Sequence, residues 1–329
     1  MQQQDRVWHV SWSHSGKYLA SCGEDKVVRI WGNIALEGNW EDEAPDNISC
    51  ISTLEEAQNR TIRCCEWSPD DSMLACASFD GTVVVWARSG GELDFETWEQ
   101  IATLEGHDNE VKSVSWSHDG NMLSTCGRHK KVWIWENVGR GDFECVDMLD
   151  GHTQDVKFVK FDRRSMVLYS CSYDDTIKVW TLDEDDDKWI CAQTIAGHKS
   201  TVWSLSCQFN QPRIITCSDD KTLQIWECED PSLVGTWRSL YKVSNANDCP
   251  IYSVDWSQDH GYILSAGGDN CINLYSFSSR EGVEHQFEEK QAHANDINCI
   301  RWNPNSNFQH LIATAGDDGL VKIWVFNME

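Results

Sequence analysis

The sequence predicts an all-β fold, a seven-bladed β-propeller of four-stranded antiparallel blades. Two observations predict it. A unit of about 45–55 residues recurs seven times, and each copy closes on an aromatic in a short apolar run: Trp31, Trp86, Trp135, Trp180, Trp226, Tyr275 and Trp324. Six positions before each aromatic stands Asp25, Asp80, His129, Asp174, Asp220, Asp269 or Asp318. The second observation is an earlier apolar strand in each unit, ending near Trp12, Trp67, Trp116, Phe161, Cys207, Trp256 or Trp302. One unit cannot bury both of its apolar faces, so seven should stack into a single closed domain over residues 1–329, with no linker.

The spacing is that of WD40 blades. Blade four justifies each element in turn. Residues 155–161 alternate apolar and polar and read as the inner strand. Residues 167–172 form the second strand, and Tyr173-Asp174-Asp175 the tight turn that follows. Residues 176–180 are the third strand and residues 189–195 the outermost, before Gly197-His198 leads into the next blade. Longer insertions follow Trp31, Trp86 and Tyr275. Blade seven departs from the pattern, because its third strand ends at Trp324 with only residues 325–329 beyond it. Residues 1–5 read as too short and too polar for the N-terminal clasp strand that closes such rings. The expectation is a three-stranded last blade with an open edge.

The 18 Trp and 40% apolar content supply ample core. Mean hydropathy is −0.50, no apolar run reaches membrane-span length, and residues 1–9 lack a signal-peptide core. Fifteen Cys occur without a CxxC pair. Cys22, Cys126, Cys171 and Cys217 precede the turn residue by three, where other blades place Ala77, Ala266 and Ala315. A slot that alternates Cys with Ala calls for a small buried side chain, not a metal or cluster ligand. No cofactor is expected, and the cysteines point to a reducing, cytoplasmic compartment. The net charge of −26 disfavours nucleic acid and anionic membrane as partners. The acidic stretches at residues 41–46 and 183–187 read as solvated loops.

A hydrolase-like set of hydroxyl, His and Asp is present, but in several copies. His152, Ser170, Asp174 and Trp180 recur as His198, Thr216, Asp220 and Trp226, and again as His293, Thr314, Asp318 and Trp324. An enzyme needs one site, whereas repetition marks a structural hydrogen-bond network, so no catalytic role is expected. Blade three keeps His107, Thr125 and Trp135 but has Arg128-His129 at the turn, giving up a network member. Turns between second and third strands should share one face with the starts of the inner strands. That places Arg63, Lys112, Arg128 and Lys157 on one arc, with Trp203 and Tyr252 on the next and Trp8 on blade one. Such a basic and aromatic patch on an acidic protein suits an acidic or C-terminal carboxylate segment carrying an aromatic residue.

Residues 103–135, with LEGHDNEVKSVSWSHDGNML and then KVWIWE, resemble the WD40 protein of cytosolic iron–sulfur protein assembly, the Ciao/Cia-one family. GHTQDVKFV and YDDTIKVW in blade four, and GHKSTVWSL and CSDDKTLQIW in blade five, extend the resemblance. It implies a non-enzymatic scaffold of a targeting complex with an MIP18-family adaptor and a HEAT-repeat scaffold. An iron-only-hydrogenase-like protein and apo iron–sulfur clients, including nuclear ones, are the other implied partners. The family's exposed Arg before the blade-three turn maps onto Arg128, and basic neighbours map onto Lys112 and Lys157. The sequence departs from the family in its missing clasp strand, in His129 for Asp, and in Val179-Trp180-Thr181 where some relatives have Leu-Tyr-Arg. No co-chaperone contact is inferred there. The alternative, a ubiquitin-ligase substrate receptor, lacks its usual Trp-Asp-x-Arg after the third strands, and a G-protein β subunit would need a long N-terminal helix.

Overall fold

A computed structural model describes residues 1–3, 5–32, 48–89, 97–139, 141–183, 185–258 and 261–326. Among these, seven antiparallel sheets form the blades of a propeller, each running in chain order from the central channel to the rim. Six sheets have four strands and the seventh has three. Blade four matches the sequence reading closely, with strands Val156–Phe161, Val167–Ser172, Thr176–Asp183 and Lys188–Ala196. The acidic residues 41–46, and the insertions as far as they span residues 33–47 and 90–96, lie outside the described residues.

Period-two alternation gives each sheet two apolar faces, and each face finds a neighbour. Seven buried clusters result among the described residues, one at every junction between consecutive blades and one joining blade seven to blade one. Full burial of a single Leu, Ile or Val there contributes about 1.5–3 kcal/mol. In blades one, two and three the Trp that closes the inner strand adds a directional tie. Trp12 donates its indole N–H to the Arg301 carbonyl, Trp67 to that of Ser11, and Trp116 to that of Glu66, each reaching the preceding blade's inner strand. The seven small residues three before the turns, Cys22, Ala77, Cys126, Cys171, Cys217, Ala266 and Ala315, are all fully buried. All fifteen cysteines are free thiols.

Ring closure corrects one expectation. The third strand of blade seven, Val321–Val325, is flanked at its start by residues 1–3. Met1 and Val321 exchange backbone hydrogen bonds of 3.0 and 2.9 Å, Gln3 N–H reaches the Gly319 carbonyl at 2.8 Å, and Gln2 bridges Leu320. The sheet is three-stranded as expected, but its edge is occupied at that end. Polarity does not prevent this, because the ladder uses backbone groups alone.

Candidate partner-binding face

In blade four the His152 imidazole, with no exposed side-chain surface, spans two partners. Its Nε2 meets Ser170 Oγ at 2.7 Å and its Nδ1 meets Asp174 Oδ2 at 2.8 Å. Trp180 Nε1–H donates to the same Ser170 oxygen at 2.8 Å. Asp174 also accepts from the backbone N–H of Thr153 and Thr176 and from the Thr176 hydroxyl. The chain repeats in blade five through His198, Thr216, Asp220 and Trp226, and in blade seven through His293, Thr314, Asp318 and Trp324. With three such sets, the hydroxyl that would be a nucleophile is in every case locked beneath an indole.

The network reaches further than sequence reading found. In blades three, four and five the His lies 18 positions before its hydroxyl residue, and that offset also holds where the residue type changes. Gln3 bonds Ser21, whose Oγ also accepts from Trp31. Gln58 donates to the Cys76 carbonyl, and the Asn247 carbonyl oxygen accepts from Ser265. In blade six Tyr275 replaces the indole and donates its hydroxyl to the Ala246 carbonyl. The constant offset was the available signal.

Blade three corrects another expectation, for His129 does not leave the network. It meets His107 Nδ1 through Nε2 at 2.9 Å, while His107 Nε2 meets Thr125 Oγ1 at 2.7 Å and its ring stacks on Trp133. Burial, then the neighbouring His129, holds His107 down to about 3, so at neutral pH the pair is uncharged and one imidazole donates to the other. A neutral pair lacks the charge-assisted bonds that a carboxylate makes to backbone N–H groups. His129→Asp is therefore expected to stabilise the protein by about 1–2 kcal/mol. Urea unfolding checks this, and an unchanged or lower midpoint would count against it.

Above this layer the expected arc assembles at the mouth of the channel. Arg63, Lys112, Lys157, Trp203 and Tyr252 each occupy the second position of consecutive inner strands and are half-buried, as is Trp8. Arg63 lies 4.8 Å over the Trp8 ring. Arg128 projects from its turn with 60% of its side chain exposed, 3.6 Å from Glu110. Lys112 is not free, since its ammonium is paired with Asp155 of the next blade. Lys157 lies over both Tyr173, at 4.2 Å, and Trp203, at 4.7 Å, while Trp203 meets Tyr252 edge-on at 5.3 Å. Burial, then Lys112, brings its amine down to about 7. Tyr252 moves the opposite way, to about 12, through burial and the nearby Asp296 and Asp219. The mouth thus presents exposed and half-buried cations beside a run of aromatic faces, the chemistry that grips carboxylates and rings.

Seven segments, residues 2–32, 48–87, 98–136, 143–181, 189–227, 237–276 and 285–325, match the family model of the WD domain, G-beta repeat. The molecule is thus a seven-bladed WD40 propeller. The probable cytosolic iron-sulfur protein assembly protein 1 of Vanderwaltozyma polyspora is 37% identical over 98% of this chain and 96% of its own length. The probable CIAO1 homolog of Caenorhabditis elegans is 36% identical, over 97% and 94%, and the probable Ciao1 of Culex quinquefasciatus 38%, over 98% and 94%. The chain belongs to the cytosolic iron–sulfur protein assembly protein 1 family.

Proposed function

We propose that this chain is a non-enzymatic scaffold of cytosolic iron–sulfur protein assembly, docking apo-proteins for cluster insertion on the face that bears Arg128. The observation behind this reading is the basic and aromatic arc of Arg63, Lys112, Arg128, Lys157, Trp203 and Tyr252 on a chain of net charge −26. Family membership supports the pathway, and the repeated, locked His–hydroxyl–Asp sets support a structural reading of these triad-like residues. The partners are an MIP18-family adaptor, a HEAT-repeat scaffold, an iron-only-hydrogenase-like protein and apo iron–sulfur clients, in the cytosol and the nucleus. Their acidic segments meet Arg128 and Lys157, and their aromatic side chains meet Trp203 and Tyr252.

Affinity purification with quantitative mass spectrometry tests this, comparing wild type with Arg128→Glu. Wild type is expected to recover adaptor, scaffold and clients, and the variant to lose clients by about tenfold or more. Full client recovery by the variant would move the site off this face. Recovery of ubiquitin-ligase subunits in place of these partners would remove the assembly role.

A further inference from the structure

Two guanidinium groups approach one carboxylate at the junction of blades two and three, and sequence reading named only Arg128. Arg60 precedes the inner strand of blade two, Ile62–Trp67, and Arg128 follows the second strand of blade three, Met122–Gly127. The carboxylate is Glu110, just ahead of the blade-three inner strand, Val111–Trp116. Backbone contacts fix these positions. Arg128 N–H donates to the Glu110 carbonyl at 3.1 Å, and Phe79 N–H to that of Thr61 at 2.9 Å. The blade-two turn packs closely on blade three at Gly81, where a Cβ would lie 2.9 Å from the His107 carbonyl oxygen.

Arg60 Nη1 donates to the Phe79 carbonyl at 2.6 Å and Nη2 to Glu110 Oε1 at 3.2 Å. The Arg60 guanidinium also lies 5.9 Å from the centre of the half-buried Phe79 ring. Arg128 Nη1 comes only to 3.6 Å from the other oxygen, Glu110 Oε2, beyond hydrogen-bonding distance. Asp80, next to Phe79, accepts instead from the Asn59 N–H and the Thr82 hydroxyl, each at 2.7 Å. Among the described residues neither arginine has a second carboxylate within ion-pair distance. One carboxylate therefore answers two guanidiniums, and most of their N–H donors stay open to solvent. The Arg60 and Arg128 side chains are 56% and 60% exposed. Ion pairs this exposed contribute little, so a carboxylate from outside can replace Glu110 at small cost.

We propose that Arg60 and Arg128 form a two-guanidinium clamp for a carboxylate of an acidic peptide segment, and that Glu110 is the internal carboxylate which this segment displaces. The proposal rests on the reading that the Arg128 face docks clients, and it adds Arg60 and Glu110 to that face. Each guanidinium offers parallel N–H donors that match carboxylate oxygens. Glu110 makes the clamp selective, because a segment without a carboxylate gains nothing by replacing it.

Fluorescence anisotropy of the full chain tests it, with a fluorescein-labelled nonapeptide of three Glu-Glu-Phe repeats as the probe. Wild type is expected to bind this peptide and not its Gln-Gln-Phe counterpart. Arg60→Gln should weaken binding about tenfold. Glu110→Gln should tighten it about threefold. Glu229→Gln and Arg238→Gln remove the same charges from an exposed pair on blade five and should leave the affinity unchanged. Failure of wild type to bind the acidic peptide overturns the proposal. So does unchanged affinity in Arg60→Gln, unchanged or weaker binding in Glu110→Gln, or equal effects in the blade-five controls. The client reading fails separately. If the peptide effects appear while Arg128→Glu still recovers every client, the clamp stands and its ligand is an acidic segment from another protein.

Discussion

Asp174→Ala is expected to destabilise the protein by about 3–5 kcal/mol at neutral pH. The carboxylate is 8% exposed and accepts four bonds, from His152, the Thr153 and Thr176 N–H groups and the Thr176 hydroxyl. Alanine would leave those donors in a site with little room for compensating water. Guanidinium unfolding followed by Trp fluorescence measures the loss, and a change below about 1 kcal/mol would mean that solvent replaces the carboxylate. The pH dependence has a definite sign. Burial alone would raise the Asp174 pKa, but the bonds from His152 and Thr176 outweigh it and hold the group well below the usual carboxylate range. Its contribution is therefore complete above the unfolded value, about 4, and is lost as pH falls toward the folded one. His152 is also lowered, by burial, against the opposing pull of Asp174. The unfolded chain thus takes up a proton below about pH 6.5 more readily than the folded one. Both groups make wild type weaken on acidification, and Asp174→Ala should flatten the acid limb.

Trp203→Ala is expected to weaken capture of an acidic partner about a hundredfold. The indole is one of two rings over the Lys157 ammonium and the edge-on neighbour of Tyr252, so its loss dismantles the aromatic part of the arc. Water would then reach Lys157, whose amine should rise from about 7 toward its ordinary value. In wild type, affinity for a carboxylate should fall as pH rises through that region, because the ammonium loses its charge. In the variant the residual affinity should hold to higher pH. Titration calorimetry with a purified client at several pH values reads both effects, and unchanged affinity together with an unchanged pH profile would rule out the docking role assigned to Trp203.

Most of the blade architecture was legible because it is encoded locally. Residues 155–161 alternate strictly enough that the observed strand, Val156–Phe161, differs by one residue. The networks were legible where their residues are His, hydroxyl, Asp and Trp. They were hidden where Gln3, Gln58 and Asn247 take the His position, since an amide does the same bonding with a different side chain. His129 read as a loss because it stands where the other blades place Asp. Burial keeps both rings neutral, and a neutral imidazole both donates and accepts.

The arc itself shows where pattern stops being sufficient. Its order around the channel follows from counting strands, because each inner strand presents the same position to the mouth. Whether a given cation is available does not follow, since Lys112 is neutralised by Asp155, 43 residues further along the chain, while Arg128 remains largely in solvent. Residues 1–3 lie beside Val321 only because the ring brings its two ends together. The sequence by itself determined the all-β class, the seven units, the strand order within blades and the family, because these depend on short-range periodicity and turn chemistry. Only the tertiary structure decided which charges are paired and which imidazoles are neutral. Those properties depend on burial and on neighbours from other blades, which local sequence does not encode.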